Sequence, residues 1–307
     1  MKYMMSTTLI AKLLIFSLLI ISCSSSEIKD PLDKYEDSEI AVKLFPGNIS
    51  IDGIQWNNFF AKNNQEMFYC QQLPGRAQLV SRVFDGKKYT SPKPIAFDTI
   101  YNYSDPFVNP SGNHLIFMSN KPYEFKKDSL TSDFQLWQSN KKDGAWTEPE
   151  IVFTTETGVG YPCRTNDGTL FYSLRPKDGS RNSNIYYSAF QDGQYGPPIK
   201  LPEEINTIDK FEGDAFIAMD KSFIIFASFD RDDNMGFSDL YISFNKGNNK
   251  WTKSKSLGMS INSAGYDGSP FVTQDGKYLV FTSSRNSPGE NGFFNHYIVR
   301  FDASSYK

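Results

Sequence analysis

From about residue 51 onward, apolar positions come in short runs separated by polar turns. The strongest runs are Leu115-Ile116-Phe117, Leu170-Phe171-Tyr172, Phe223-Ile224-Ile225-Phe226 and Tyr278-Leu279-Val280-Phe281. Before each run sits a tight polar turn: Ser111-Gly112, Asp167-Gly168, Asp220-Lys221 and Asp275-Gly276. Such pairs tolerate the positive φ that a hairpin needs. Before each turn lies another apolar segment: Pro106-Phe107-Val108, Tyr161-Pro162-Cys163, Ala215-Phe216-Ile217 and Pro270-Phe271-Val272, with Asn58-Phe59-Phe60 as a worn first copy. A third strand mixes aromatic and polar residues: Phe134 to Trp137, Asn184 to Tyr187, Asp239 to Ile242 and His296 to Val299. A fourth is expected at Tyr89 to Pro92, Trp146 to Pro149, Tyr195 to Pro198 and Trp251-Thr252.

These four-strand units recur every 48 to 56 residues. Four short antiparallel strands at a period near fifty predict an all-β propeller of four-stranded blades. Five copies fit, at about 51–98, 103–154, 159–201, 211–257 and 264–302; six blades is the alternative. Two sandwich domains would not account for an even repeat along the whole chain. The fifth copy lacks a fourth strand, and the strand-like segment 39–46 (EIAVKLFP) is otherwise unassigned. It is expected to complete the last blade, which would remove the exposed sheet edges that invite aggregation.

The pattern Pro-Phe-x-x-x-Asp-Gly-Lys-x-Leu-x-Phe-x-Ser-x-Arg, followed by Asp-Leu-Tyr-Ile-Ser and Gly-x-Trp-x-x-Pro, resembles the WD40-like (PD40) repeat of TolB-type bacterial propellers. The resemblance covers about 250 residues in four clear copies. It implies the propeller fold and a periplasmic or surface-anchored protein that works by binding proteins or glycans. The first copy departs from the pattern, having lost the Asp-Gly turn and the basic residue.

The N-terminus reads differently. Lys2 is followed by an apolar run from Leu9 to Ile21, which ends in Ile20-Ile21-Ser22-Cys23. The run is short for a membrane span and has the layout of a secretion signal. The residues before Cys23 resemble a bacterial lipobox. Residues 1–22 are therefore expected to be a lipoprotein signal peptide, with Cys23 the lipidated N-terminus of the mature chain. Acyl chains would supply membrane affinity at about 0.8 kcal/mol per buried CH2. Residues 23–38 are polar and charged and are expected to be a flexible tether. The propeller would then occupy 39–307, in the bacterial cell envelope, periplasmic or surface-exposed.

A net charge of −3 and a pI of about 5.6 offer no basic surface for phosphates, so nucleic acid is not expected as a partner. Cys70 and Cys163 lie in apolar strand contexts and are read as buried thiols, although the compartment permits a disulfide.

Candidate chemistry gathers on one face. Lys121, Arg175, Arg231 and Arg285 follow strand two of successive copies, and Asp133, Asn184, Asp239 and Asn295 precede strand three. Their repetition favours loop anchors, each basic side chain tying down its own loop through the nearby Asp or Asn, over a cationic ring that grips a ligand. Asp105, Tyr161, Glu212, Asp214 and Asp267 lie at or near strand one, which lines a propeller's channel, and are the candidate ligand contacts. Glu212 and Asp214, two apart, should point to one side of a strand. Paired carboxylates suit general acid–base work, cation holding or hydrogen bonding at the channel mouth. Asp230, Asp232 and Asn234 match a calcium loop in part, but the Gly falls one position late and Tyr241 stands where the closing Glu belongs. With two histidines in different copies and no HExxH, GxSxG or phosphate loop, no metal or cofactor is expected. The expected function is non-enzymatic binding or scaffolding for a protein or glycan ligand. The alternative is a propeller-type carbohydrate-active hydrolase or lyase.

Overall fold

The computed structural model of the protein describes residues 29–95, 97–123, 134–178, 180, 182–285 and 294–307. They form an all-β ring, 3% helical, of five antiparallel four-stranded blades. The first strand, β1 (Val42–Lys43), belongs to the last blade. Blade 1 contains β2 (Gln55–Ala61), β3 (Glu66–Leu73), β4 (Arg76–Val83) and β5 (Lys93–Pro94). Blade 2 contains β6 (Tyr103–Val108), β7 (His114–Ser119), β8 (Gln135–Lys142) with its hairpin partner β9 (Ala145–Trp146), and β10 (Glu150–Phe153). Blade 3 has β11 (Val159–Arg164), β12 (Leu170–Leu174), β13 (Asn184–Ser188), the hairpin β14 (Phe190–Gln191) and β15 (Gln194–Tyr195), and β16 (Ile199–Lys200). Blade 4 has β17 (Phe211–Ile217), β18 (Phe223–Phe229), β19 (Ser238–Phe244) and β20 (Lys255–Ser256). Blade 5 has β21 (Asp267–Val272), β22 (Tyr278–Ser283) and β23 (Asn295–Arg300), completed by β1.

The second strand of each blade is apolar on both faces because a neighbouring blade covers each side. Leu115, Ile116 and Phe117 are fully buried, as are Ile224, Ile225 and Phe226. Each such side chain contributes about 1.5–3 kcal/mol by leaving water.

The ring closes through the N-terminal segment. Val42 pairs with Ile298 and Lys43 with Tyr297. Beyond that ladder Arg300 N donates to Ser38 O at 2.8 Å, and Leu44 N donates to His296 O at 2.9 Å. The ordered attachment begins earlier than the sequence suggests. Within the expected 23–38 tether, Leu32 and Tyr35 are buried on a 3-10 turn (Asp33–Tyr35). Phe45 N donates to the Tyr35 hydroxyl at 2.5 Å, and Asn64 Nδ2 donates to Asp30 at 2.8 Å. Two apolar residues three apart suffice to dock one turn, and a polar average over the segment hides them. Cys23 and the expected signal peptide lie outside the described residues.

The fourth strands also fall later than expected. Tyr89, Trp146, Tyr195 and Trp251 sit instead on a hairpin that extends strand three: β9, β15 and the bridges Phe84–Tyr89 and Asn245–Trp251. The threonine after three of these aromatics closes the hairpin. Val83 N, Asn140 N and Phe244 N donate to Oγ1 of Thr90, Thr147 and Thr252 at 2.9–3.2 Å. The outer strand then pairs a few residues further on.

Candidate functional site

Every innermost strand carries a β-bulge at the same place, marked by a register shift after Trp56, Ser104, Gly160, Gly213 and Gly268. The first bulged residue of each blade is left-handed: Asn57 (φ 47°), Asp105 (48°), Tyr161 (51°), Asp214 (49°) and Ser269 (49°). Asn and Asp enter that region readily, whereas a bulky residue such as Tyr161 rarely does. The bulges also correct the repeat alignment: Tyr161 is the equivalent of Asp105, and Cys163 rather than Pro162 is the equivalent of Phe107. A bulge re-aims its side chain, and here five bulges aim one residue per blade at a common ring.

Two carboxylates in this ring share a site. Asp214 Oδ2 accepts from the Tyr266 hydroxyl at 2.5 Å and from the amide and hydroxyl of Ser269, both at 3.1 Å. Tyr161 bonds the same carboxylate. Asp105 Oδ1 accepts from Trp56 Nε1 at 2.9 Å, and its own amide meets the buried Cys70 Sγ at 3.0 Å. Both carboxylates are 4% exposed, while Trp56, Tyr161 and Tyr266 are half-buried. Burial, reinforced by the Asp214 charge, pushes the Asp105 carboxyl up to about 7, against the pull of Trp56 and Asn57. Burial also raises Asp214 despite its four hydrogen bonds. Burial, together with the Asp214 charge, lifts the Tyr161 and Tyr266 phenols well above their usual value, so they act as donors. Gly268 permits the arrangement, since a Cβ there would collide with the Tyr266 hydroxyl and lie 2.8 Å from Asp214 Oδ2. Further along the channel, Phe59, Phe107, Phe216 and Phe271 interlock at ring separations of 5.0–5.7 Å and line a cavity of about 330 Å³.

The other predicted residues go elsewhere. Glu212 does not join Asp214, because the intervening bulge breaks the strand alternation. Fully buried, it meets Arg231 Nη2 at 3.0 Å. Asp267, also fully buried, meets Arg285 Nη2 at 2.8 Å and accepts from the Ser263 amide at 2.6 Å. The two arginines repeat one clasp. Each binds the strand-two serine (Ser228, Ser283) through Nε at 2.9 Å and a loop carbonyl (Ile205, Ile261) through Nη2. Each also stacks on its own blade's aromatics, 4.4 Å from the Tyr241 ring and 5.0 Å from the Tyr297 ring. Their acids come from strand one, not from the residues before strand three. Asp239 instead holds the Met235 and Gly236 amides at 2.7 and 3.2 Å. The clasp is absent from blades 2 and 3. Lys121 lies 4.0 Å from exposed Glu148 and 5.8 Å from the Trp137 ring. Arg175 is exposed, with Val159 in the acid's place. Asp133 lies outside the described residues.

In the 230–234 loop, Asp230 accepts from Lys210 through its backbone carbonyl. Asn234 Nδ2 donates to Ser228 O, and Asn234 and Asp233 accept from the Tyr241 hydroxyl. Among the described residues no three His, Cys, Asp or Glu side chains are placed to hold a metal. Cys70 and Cys163 are buried free thiols. Sequence reasoning missed Trp56, Asn57, Tyr266 and Ser269. Aligning the copies one residue earlier, on the residue before each Pro-Phe, would have exposed all but Trp56 and Tyr266.

No protein-family model matches the chain, and no curated protein matches it in sequence. Solved structures do match. A TolB candidate from Agrobacterium tumefaciens is 13% identical at a TM-score of 0.52, covering 82% of this chain and 92% of that one. An endo-arabinase from Bacteroides thetaiotaomicron is 12% identical at 0.56, covering 83% and 97%. An α-L-arabinofuranosidase from Podospora anserina is 11% identical at 0.55, covering 86% and 95%. At these identities the likeness is one of fold, common to the TolB candidate, the endo-arabinase and the arabinofuranosidase.

Proposed function

We propose that this chain is a bacterial envelope lipoprotein, anchored through Cys23, whose propeller binds a hydroxyl-bearing ligand, glycan or peptide, over the ring of bulges. One observation carries the reading. At the equivalent bulges of blades 2, 3 and 4, Asp105, the half-buried Tyr161 and Asp214 converge with the half-buried Trp56 and Tyr266, which reach the carboxylates from outside the bulges. Polar edges on apolar rings, beside buried carboxylates, suit hydroxyl recognition. The clasped Glu212 and Asp267 lie outside this contact set.

A second reading keeps the ring and adds turnover. It is favoured by the Asp105 carboxyl at about 7, where a group can both give and take a proton near neutrality. A glycan array run beside a turnover assay on the same polysaccharides separates the two. Binding without product, weakened at least tenfold by Asp105→Asn or Asp214→Asn, supports the binding protein. Product formation that both substitutions abolish would replace it with the hydrolase or lyase.

A further inference from the structure

A second pocket opens on the flank between blades 2 and 3, with a volume of about 390 Å³. Its walls include Phe153, Phe190, Tyr195, Gln138, Gln194 and Arg164. Phe190 and Tyr195 pack at 4.9 Å, and Tyr195 leans on Phe153 at 5.7 Å. Arg164 stands 5.3 Å over the Phe190 ring.

The same seam one blade earlier shows what is different. Between blades 1 and 2, the hairpin aromatic is Trp146, which packs on Phe68 at 6.3 Å with Lys141 5.4 Å above it. There the cations are answered: Glu66, at the start of β3, pairs with Lys62 at 2.7 Å and Lys141 at 3.3 Å. Between blades 2 and 3 the residue in the position of Glu66 is His114, at the start of β7. Its Nδ1 meets Asn140 at 2.9 Å, and its Nε2 has no partner among the described residues. Burial, with the nearby Arg164 charge, holds its imidazole below the usual value. Arg164 itself replaces an apolar residue, since Phe60, Val108, Ile217 and Val272 occupy its position in the other blades. It has no carboxylate partner among the described residues, and its buried Nε is unbonded. A cation drawn out of water calls for an anion, and a guanidinium matches a carboxylate in shape.

We infer that this flank pocket binds an acidic saccharide, with a sugar carboxylate on Arg164 and the sugar face on the Phe190–Tyr195 wall. Gln138 and Gln194 meet ring hydroxyls. The site is separate from the channel ring and stands whether or not the ring binds.

The test is calorimetry on the full mature chain with three probes: a glucuronate-containing tetrasaccharide, its carboxyl-reduced counterpart, and acetate. The acidic tetrasaccharide is expected to bind at least tenfold more tightly than the other two. Arg164→Gln and Phe190→Ala each weaken it at least tenfold, and Asp105→Asn in the ring leaves it unchanged. Should Arg164→Gln fail to fold, Gln194→Ala on the exposed hairpin reads the same pocket by a smaller loss, alongside Phe190→Ala. The inference falls if the acidic tetrasaccharide does not bind, or if the reduced counterpart or acetate binds as well. It also falls if folded Arg164→Gln or Phe190→Ala binds normally, or if Asp105→Asn abolishes binding, which would move the ligand to the channel.

Discussion

Replacing Asp105 by Asn should stabilise the fold above neutral pH. The carboxyl stands at about 7 in the ring against an ordinary 3.8, first because it is buried and then because Asp214 is near. A tenfold change in proton affinity is worth about 1.4 kcal/mol, so ionising Asp105 within the fold costs about 4 kcal/mol. The native chain holds this proton more tightly than the unfolded chain. Stability from the neutral carboxyl is therefore complete below about pH 4 and is lost as pH rises through about 7. His296 slopes the other way. Buried as the neutral base, it is pulled from 6.5 to about 3, so its contribution is present above its unfolded value and lost as pH falls. Between about pH 4 and 6.5 these two slopes oppose each other.

The difference between variant and parent isolates Asp105. Asn enters the left-handed region readily, which suits φ 48° at this position, and its oxygen can still accept from Trp56 Nε1. Asp214, Cys70, Tyr161 and Tyr266, the titratable groups around it, stay in place. Urea unfolding followed by tryptophan fluorescence, repeated from pH 4 to pH 8.5, reads the outcome. The variant's advantage should start near zero, grow through pH 5–7 and level off at up to about 4 kcal/mol. An advantage that does not change with pH would refute the account of a buried, charge-coupled carboxyl. The same variant should lose ring ligand, trading function for stability.

Two further outcomes follow from the packing. Arg231→Ala leaves Glu212 fully buried without its cation and should cost about 3–5 kcal/mol, whereas Glu212→Gln with Arg231→Met should recover most of it; thermal melts of the single and double variants check this, and an unchanged single-variant melt refutes it. Leu44→Ala, at a fully buried site in the closing segment, should cost about 2–5 kcal/mol, while Ile40→Ala at a 65% exposed site should be near neutral; equal melting of the two would mean that the N-terminal strand does not hold the ring shut.

The fold was legible because its signal is redundant. The apolar run of strand two and the polar turn before it recur in blade after blade, and any four copies identify the meander. Even the closing strand could be inferred from arithmetic, since a blade short of one strand and a strand short of a blade need each other. The site was half legible. Asp105, Tyr161 and Asp214 stood out as departures near strand one, but a strand without bulges was assumed. That assumption paired Glu212 with Asp214 and aligned Tyr161 one residue late. A bulge is invisible to periodicity because it shifts the alternation by one residue without changing the composition. Trp56 and Tyr266 were missed because they act from outside the bulge, reaching the carboxylates through long side chains that no spacing rule encodes. The arginine clasp was legible as a repeat, yet its acids were assigned to the wrong strand, since Asp239 and Asn295 are as near in sequence as Glu212 and Asp267 are in space.

Comparing blades within one chain separates scaffold from chemistry better than any single residue does. Features that repeat with their partners, such as the hairpin threonine of blades 1, 2 and 4 and the arginine clasp of blades 4 and 5, are explained by the stability of each blade. The bulge repeats in all five blades, so the fold supplies the left-handed backbone everywhere. The side chain placed on it varies: Asn57, Asp105, Tyr161, Asp214 and Ser269. A backbone that tolerates Asn or Gly best would be most stable with those residues throughout. Two buried carboxylates, with the Asp214 charge adding to the proton affinity of Asp105, and a tyrosine in a conformation tyrosine avoids, cost stability instead. The same logic marks Arg164, a cation set where four blades carry an apolar side chain, beside His114 at the position where blade 1 carries the acidic Glu66. In both places the scaffold's own requirements do not explain the residue, and the ligands proposed above would.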